Sequence, residues 1–270
     1  MRATRLARTV ALAVIIGIGL FNLYQAAANW TLSDAAAYWN AALRLRDGQP
    51  LYPVLTNVDA SEVYRYAPWF AWVTVPFTWL PQRLAGALWS VVLLAASAAA
   101  LLPLARARAW LLVAFFAPIL VGISAVGNVH PLLVAALVWG VDRRAGPLAI
   151  GLAASLKIFP ILFAAVYLGR GQWVRAGLSV ALAGVLWAPA LLYDLRGYAT
   201  DAGQAASLVA VPVLWAVLVG AGIGLTLRLA RTRFAWLTAA TTVALSLPRL
   251  FVYDATYLMV GGAGTPRPRG

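Results

Sequence analysis

The sequence has no cysteine, only one histidine (His130) and few charged residues, which make up 11% of its 270 positions. Without cysteine there is no disulfide framework, no thiolate nucleophile and no zinc–thiolate site, and one histidine cannot build a multi-histidine metal centre. The scarcity of charge excludes an ordinary soluble domain, in which about a quarter of the residues are charged. We therefore expect no redox or metal–thiolate chemistry, and we predict neither a cofactor nor a bound metal.

Apolar residues are abundant instead: they form 63% of the chain, and the mean hydropathy is +0.83. A helix needs about 20 apolar residues to cross a bilayer. The pattern predicts an all-α, polytopic helical membrane protein with about eight or nine membrane segments in one integral membrane domain, residues 1–270. The candidate segments are 10–28, 67–81, 84–104, 109–126, 129–141, 146–168, 174–193, 208–227 and 234–252.

The formal net charge of +13 comes from 20 arginines and one lysine against eight acids. The arginines stand singly or in small groups at the ends of apolar segments, the arrangement that anionic headgroups and the positive-inside rule favour. No contiguous basic groove or repeated aromatic platform occurs in the sequence. The basic residues therefore predict membrane lipids, and not a nucleic acid, as their partner.

The N-terminal segment has features of a secretory signal, because Arg2, Arg5 and Arg8 precede the apolar run 10–24 and three alanines follow at 26–28. A chain that inserts many further segments can use the same features as an uncleaved signal anchor. We predict an uncleaved first span in the plasma (inner) membrane, with the N-terminus in the cytoplasm.

The arginine count also bears on topology. If all nine segments cross, nine arginines lie inside and ten outside, which contradicts the positive-inside rule. Segment 67–81 carries three prolines, and segment 146–168 is interrupted by Lys157 and Pro160. Letting both re-enter changes the count to twelve inside and seven outside, and broken helices are tolerated where they line a wet cavity. With this topology the loop 29–66, the turn 127–131, the break at Lys157 and Asp254 all lie on the external side.

A long polar stretch, residues 29–66, separates the first two segments and holds four of the eight acids: Asp34, Asp47, Asp59 and Glu62. Loops of this length are usually functional. Within this external loop, 33–47 reads as a short juxtamembrane helix with Ser33 as its N-cap and Gly48 after its end.

Asp34 is the candidate catalytic residue of this helix. Tyr38 follows one turn later, so a carboxylate and a phenol share one face near the membrane surface. An acid placed there can deprotonate an acceptor hydroxyl as a general base. Alternatively, it only interacts with the N-terminal dipole of the helix, which contributes a few tenths to about 1 kcal/mol.

Other polar residues interrupt apolar sequence, where an ionisable group costs several kcal/mol unless it is paired or hydrated. Lys157 either pairs with a buried acid or carbonyl, or provides a cation for an anionic substrate group. His130 either forms a hydrogen bond at a helix end or lines a pocket. Asp254 either caps the span that it closes or lines a pocket. The candidate substrate-pocket residues are Tyr38, Tyr66, Asn128, His130, Tyr253 and Asp254.

An ordered set of motifs over roughly residues 10–255 resembles the polyprenol-phosphate-mannose-dependent α-mannosyltransferase family of the GT-C glycosyltransferase superfamily, many of whose members are described only as a domain of unknown function. The motifs are Asp34-x3-Tyr38, Gly48-x3-Tyr52, Tyr64-Arg65-Tyr66-Ala67-Pro68 with Pro76, Gly127-Asn128, Ala145-Gly146 to Lys157-x2-Pro160, and Trp173-Val174-Arg175.

The resemblance implies a multi-span enzyme that takes a sugar from a lipid-phosphate donor on the external side, with Asp34 as the catalytic base. We therefore predict a membrane glycosyltransferase that moves a hexose, mannose in the first instance, from a polyprenyl-phosphate donor to a lipid or glycan hydroxyl. From their charge and position, we predict that Arg65 and Lys157 bind the donor phosphate and stabilise it electrostatically. Arg65 and Tyr66 lie where the loop meets the membrane, so an interfacial anchor is the alternative for both.

The sequence departs from the family pattern at three places. Gly127-Asn128-Val129-His130 stands where the family has Gly-Gln-x-Asn, and Tyr253-Asp254 stands where many relatives have histidines. The sequence also ends soon after residue 254, whereas relatives usually continue through further helices. Two alternatives therefore stay open: a shortened, inactive relative, and a transporter or flippase for a lipid-linked anion.

Overall fold

The computed structural model describes residues 32–54, 63–198 and 208–264, together with scattered positions before residue 25. Every regular element in these residues is helical, which confirms the predicted all-α fold class. The described positions of the predicted span 10–28, namely 10, 12–18, 20, 21 and 24, are helical, whereas Asp59 and Glu62 lie outside the described residues. The α-helices, numbered from the first one described in full, are α1 (Ser33–Arg46), α2 (Pro68–Thr74), α3 (Gln82–Arg106), α4 (Trp110–Ala125), α5 (His130–Gly140), α6 (Gly146–Leu156), α7 (Ala164–Gly169), α8 (Trp173–Trp187), α9 (Pro212–Leu229) and α10 (Ala235–Ser246).

Short 3-10 helices connect or extend these elements: Val75–Trp79, Phe159–Phe163, Ala188–Leu192, Leu208–Ala210 and Val252–Gly264. In the described part of the chain, three helical stretches are long and apolar enough to cross a bilayer, namely Gln82–Arg106, Trp173–Leu192 and Pro212–Leu229. The other apolar helices are shorter and pack together around a core that contains Leu137, Ile150, Tyr167 and Trp236, all fully buried.

The proline-rich segment 67–81 does not cross the bundle. It forms α2 and the following 3-10 helix, together twelve residues, which is shorter than the ~20 that a crossing needs. Its far end stays beside α1, because the Trp39 indole donates to the carbonyl of Phe77 (3.3 Å) and Arg46 donates to that of Thr78 (3.2 Å). The segment therefore lies along α1 at one end of the bundle, as its prolines predicted.

Segment 146–168 turns back on itself, as the sequence also predicted. Helix α6 ends at Leu156, and Lys157 is extended (φ −137°, ψ 110°) before the 3-10 helix that contains Pro160. At the far end of the segment, the Tyr167 hydroxyl donates to the carbonyl of Val141, which lies just before α6. Both ends of the segment are therefore at the same end of the bundle, and Lys157 is at the other.

The end that carries Tyr167 is rich in arginine and will be called the arginine end. Contacts join its loops: Arg170 pairs with Asp142 (2.7 Å) and donates to the carbonyl of Ala230 (2.7 Å), while Arg175 donates to the carbonyl of Arg143. The arginines at this end are Arg106, Arg108, Arg143, Arg144, Arg170, Arg175, Arg228, Arg231 and Arg233. This is the segregation of positive charge that two re-entrant segments predict.

Two local predictions were wrong. Ser33 is not the N-cap of α1: Leu32 occupies that position with a φ of 45°, and the first turn is fixed by a hydrogen bond from the Asp34 N–H to the carbonyl of Val126 (3.0 Å). Asp254 does not close a span over 234–252. Helix α10 stops at Ser246, two residues before a proline that cannot continue it, and Asp254 instead lies near the start of the 3-10 helix Val252–Gly264.

Candidate active site

The carboxylate of Asp34 is held by the turn that precedes α5. The Asn128 side chain donates to Asp34 Oδ2 (2.7 Å) and accepts the backbone N–H of His130 through its own oxygen (2.9 Å). Together with the bond from the Asp34 N–H to Val126, these contacts clamp the start of α1 to residues 126–130. In the described residues only one carboxylate oxygen is engaged, so the other remains available to a substrate.

This clamp depends on Gly127, which has a φ of +82° that favours glycine. A Cβ at this position would lie 2.5 Å from the Cβ and 2.8 Å from the N of Ala35. The indole of Trp89 donates to the Gly127 carbonyl (2.8 Å) and fixes the turn from the other side. The glycine therefore lets the turn approach α1 closely enough for Asn128 to reach Asp34.

Burial raises the pKa of the Asp34 carboxyl above its ordinary value, while the hydrogen bond from Asn128 and the positive charges of Lys157 and Arg65 oppose that rise. A carboxylate with a raised pKa is a stronger base, and the three partners that oppose the shift favour its ionised form. Its position and surroundings suit proton abstraction from a hydroxyl group.

Replacing Asn128 by alanine is expected to move the acidic limb of the pH–rate profile to higher pH. The Asn128 hydrogen bond lowers the pKa of Asp34, so its loss raises that pKa and protonates the base at a higher pH. Initial rates measured from acidic to neutral pH test this. An unshifted limb, with only a uniform loss of activity, would show that Asn128 does not act through the carboxylate.

Two tyrosines form one wall beside this carboxylate. The Tyr38 hydroxyl donates to the Tyr66 hydroxyl (3.0 Å) and accepts the backbone N–H of Val129 (3.2 Å), and the two rings meet edge to face with centroids 5.1 Å apart. Burial raises the pKa of both phenols, so both stay protonated. Tyr38 and Tyr66 therefore link α1 to the segment that carries Arg65.

Lys157 lies in a cluster of polar and aromatic side chains at the break after α6. Its Nζ is 3.4 Å from His130 Nδ1, 3.8 Å from Asp254 Oδ1 and 4.5 Å from the centroid of the Tyr253 ring. The side chain is still 17% exposed. The lysine thus has the acidic partner that one interpretation of the sequence required, and it also faces accessible space.

The bonding pattern assigns the tautomer of His130. The Thr256 hydroxyl donates to the carbonyl of Tyr253 (2.6 Å), so it accepts a hydrogen bond from His130 Nε2 (2.8 Å). Nδ1 then carries the lone pair and accepts from Lys157. The neutral ring of His130 on one side and the carboxyl group of Asp254 on the other therefore orient the amino group of Lys157.

The segment that carries Arg65 is fixed through its backbone. Three tyrosine hydroxyls donate hydrogen bonds to successive carbonyls of this segment. Tyr198 donates to the carbonyl of residue 65 (3.4 Å), Tyr52 to that of residue 66 (2.7 Å) and Tyr64 to that of residue 67 (2.8 Å). These three tyrosines were not predicted as site residues. The tyrosine-rich sequence between 52 and 66 was a usable signal, whereas Tyr198 lies too far along the chain to be found by spacing.

The structure joins the predicted site residues in one network of direct contacts and electrostatic interactions: Asp34, Tyr38, Arg65, Tyr66, Asn128, His130, Lys157, Tyr253 and Asp254. Thr256 and Tyr257 were missed; the ring of Tyr257, fully buried, lies 4.8 Å from that of His130. In the described part of the chain, no group of three or more histidine, aspartate or glutamate side chains is arranged to hold a metal ion.

The chain was compared with family models, with curated proteins and with solved structures, and the first of these comparisons identifies its family. Neither a curated protein nor a solved structure matches the chain. The model of glycosyltransferase family 87, a family of GT-C type, matches residues 64–200, which is half of the chain and includes Arg65, Asn128 and Lys157. The chain is therefore a glycosyltransferase with apolar membrane helices, and it belongs to glycosyltransferase family 87.

Proposed function

We propose that this glycosyltransferase moves mannose from a polyprenyl phosphate to a hydroxyl group of a lipid or glycan, with Asp34 as the general base. The observation that carries the proposal is that one set of contacts joins the Asp34 carboxylate to the regions of two cations. Asn128 donates to Asp34 (2.7 Å) and accepts the backbone N–H of His130, whose Nδ1 lies 3.4 Å from Lys157 Nζ. The Tyr38 hydroxyl, on the helix of Asp34, donates to that of Tyr66, the neighbour of Arg65. A sugar transfer from a phosphate needs these two components: a base for the acceptor and positive charge for the leaving group.

The proposed reaction forms and breaks one bond at the sugar. The acceptor oxygen attacks the anomeric carbon, and its proton passes to the free oxygen of Asp34. The bond from that carbon to the phosphate oxygen breaks, and polyprenyl phosphate leaves with additional negative charge. Arg65 and Lys157 stabilise this charge electrostatically. The Tyr38–Tyr66 pair lies between the carboxylate and the Arg65 segment and lines the space for the sugar.

Incubating the purified protein with polyprenyl-phosphate-mannose labelled in the sugar, together with membrane lipids, tests this proposal. We expect labelled mannose on a new product and an equal amount of free polyprenyl phosphate. An intact donor that has only changed membrane leaflet would support a transporter of lipid-linked anions. An intact donor that has not moved would support an inactive relative.

We place the candidate site on the external face. Among the residues that the structure describes, the opposite end carries nine arginines and one acid, Asp142, and the positive-inside rule assigns such an end to the cytoplasm. Because the chain has no cysteine, single cysteines can be introduced without removing native ones. Arg196→Cys, at a side chain 84% exposed near the site, should react with a membrane-impermeant maleimide in intact cells.

The matched control is Arg144→Cys at the exposed arginine end, which should react only after the membrane is made permeable. The reverse pattern would place the site on the cytoplasmic face.

Arg65→Lys is expected to raise the apparent KM for the donor by about tenfold although the charge is kept. A guanidinium can bind phosphate through two parallel hydrogen bonds, and a single ammonium cannot reproduce that geometry. Donor titrations measure the effect. Arg83→Lys, at an exposed arginine at the start of α3, is the control and should be neutral. Unchanged kinetics for Arg65→Lys would leave Arg65 as an interfacial anchor.

A further inference from the structure

The arginine end carries a cluster of positive charge that the proposed reaction does not use. Arg106 lies in the last turn of α3, and Arg143 lies in the turn between α5 and α6. The guanidinium groups of both lie over the indole ring of Trp139, with their central carbons 5.8 Å and 5.0 Å from its centroid. The two charges are therefore no farther apart than about one Debye length, which is ~10 Å at 0.1 M salt, and they repel each other. These three residues will be called the basic patch.

The ring of Trp139 is held in place by its own hydrogen bond. Its indole N–H donates to the carbonyl of Ala99 in α3 (2.8 Å), while Trp139 itself belongs to α5. Since this N–H is used within the protein, the ring presents its face to the two guanidinium groups, an arrangement that cations favour. The packing of α3 against α5 therefore gathers both cations at one place before any ligand arrives.

No acidic side chain in the described part of the chain neutralises the basic patch. The nearest acid in sequence is Asp142, directly before Arg143, but its carboxylate accepts from Arg170 (2.7 Å) and from the indole of Trp236 (3.2 Å). No described acid lies within 4.0 Å of Arg106 or Arg143. An anion that binds both arginines would therefore relieve their repulsion.

The surface beside the basic patch is apolar. Leu102, one turn before Arg106 in α3, is 38% exposed, and α4 begins with Trp110 (51%) and Leu111 (44%) and continues to Phe115 (46%). In a membrane protein, exposed apolar side chains of this size face lipid, and a tryptophan at a helix end is typical of the headgroup level. The surroundings therefore suit an amphipathic anion that comes from the bilayer.

We propose that the basic patch binds the phosphate headgroup of an anionic phospholipid in the leaflet that surrounds the arginine end. A guanidinium can donate two parallel hydrogen bonds to phosphate oxygens, and the phosphate supplies the negative charge that no described acid provides. The acyl chains lie along the exposed apolar side chains of α3 and α4. The bound lipid ties α3 to α5 and stabilises the folded protein, because it binds the packed helices and not the unfolded chain. The proposal is independent of the reaction assigned to Asp34.

Native mass spectrometry of the full-length protein in detergent, titrated with dioleoyl-phosphatidylglycerol, measures this binding directly. Phosphatidylcholine with the same acyl chains is the neutral lipid, and inorganic phosphate is the anion without a chain. We expect one tightly held phosphatidylglycerol and about tenfold weaker binding of phosphatidylcholine, the loss that corresponds to one charge-assisted hydrogen bond. Inorganic phosphate should not displace the lipid. Saturating phosphatidylglycerol should also raise the Tm of the wild-type protein.

Three double variants separate a specific site from a general attraction to positive charge. Arg106→Gln with Arg143→Gln should weaken phosphatidylglycerol binding by about tenfold to a hundredfold. Both side chains are exposed, so the fold should persist. Arg106→Lys with Arg143→Lys keeps the net charge but not the bidentate geometry, and binding should still weaken severalfold. The matched control, Arg228→Gln with Arg231→Gln, removes two exposed charges from the same end, where α9 packs on α7 and α10, and should change nothing.

Equal weakening in the control pair would overturn the proposal, because it would show attraction to a positive end of the protein and not to a site. Equal retention of phosphatidylcholine, or displacement of phosphatidylglycerol by inorganic phosphate, would overturn it as well. If the glutamine pair lowers the Tm in phosphatidylcholine, the lysine pair decides the question. Binding of phosphatidylglycerol to the lysine pair as tight as to the wild-type protein would then contradict the proposed phosphate contacts.

Discussion

Replacing Asp34 by asparagine should lower the transfer rate by about two to four orders of magnitude, the usual contribution of a general base. Asparagine has the same shape and can still accept the hydrogen bond from Asn128, so the clamp at the start of α1 should persist. Expression, thermal stability and donor binding should therefore remain close to those of the wild-type protein. Initial rates at saturating donor, with a separate donor-binding measurement, test both parts.

The matched control for this change is Asp47→Asn. Asp47 belongs to the same polar stretch, but it lies at the exposed C-terminal end of α1 and pairs with its neighbour Arg46 (3.0 Å). We expect nearly full activity from this variant, since exposed ion pairs contribute little. If Asp34→Asn also retains more than a tenth of the wild-type rate, the carboxylate serves the helix terminus and not the reaction.

Lys157→Met is expected to weaken donor binding by about tenfold to a hundredfold, the loss that corresponds to one charge-assisted hydrogen bond to phosphate. It should also destabilise the fold, because Asp254 would remain buried without its cation (Nζ to Oδ1, 3.8 Å), and breaking a buried pair from one side costs about 3–5 kcal/mol. Thermal unfolding and donor titrations measure the two effects separately.

A second variant separates these effects. The double substitution Lys157→Met with Asp254→Asn removes both charges and should restore much of the thermal stability, since no uncompensated charge is left. Donor binding should remain weak if Lys157 binds the phosphate. If the double variant binds the donor as tightly as the wild-type protein, the lysine serves only to pair with Asp254.

Most of the helical framework could be predicted from the sequence, because membrane helices are determined by the local run of apolar residues. The predicted segment 84–104 differs from α3 (Gln82–Arg106) by two residues at each end. The reversal at Lys157 was also predictable, because a charge and a nearby proline interrupt one apolar run. In addition, the distribution of arginines between the two sides of the membrane contradicts the positive-inside rule unless the chain turns back there.

The contacts within the candidate site could be predicted only in part. Polar residues inside apolar sequence identified Asn128, Lys157 and Asp254 one by one, but their hydrogen-bond and ionic partners depend on how distant helices pack. The hydrogen bond from Asn128 to Asp34 spans 94 positions of sequence, and no local pattern encodes it. Tyr198, whose hydroxyl binds the carbonyl of Arg65 across 133 positions, was missed for the same reason. Tyr52 and Tyr64 lie in a tyrosine-rich stretch that was a usable signal, but a buried tyrosine and an interfacial one look alike in sequence.

The sequence separation of these contacts also sets the order in which the site can be completed while the chain is synthesised. The base side needs only Asp34 and the turn at Asn128, so it can form once α4 and the start of α5 are in place. The surroundings of Lys157 are completed much later in synthesis. This lysine is oriented by His130 on one side and by Asp254 on the other, and Asp254 follows α10 in the chain. A nascent chain that has inserted α6 but not α10 therefore carries a lysine without its acidic partner, and the site becomes complete only when the last described helices have been made.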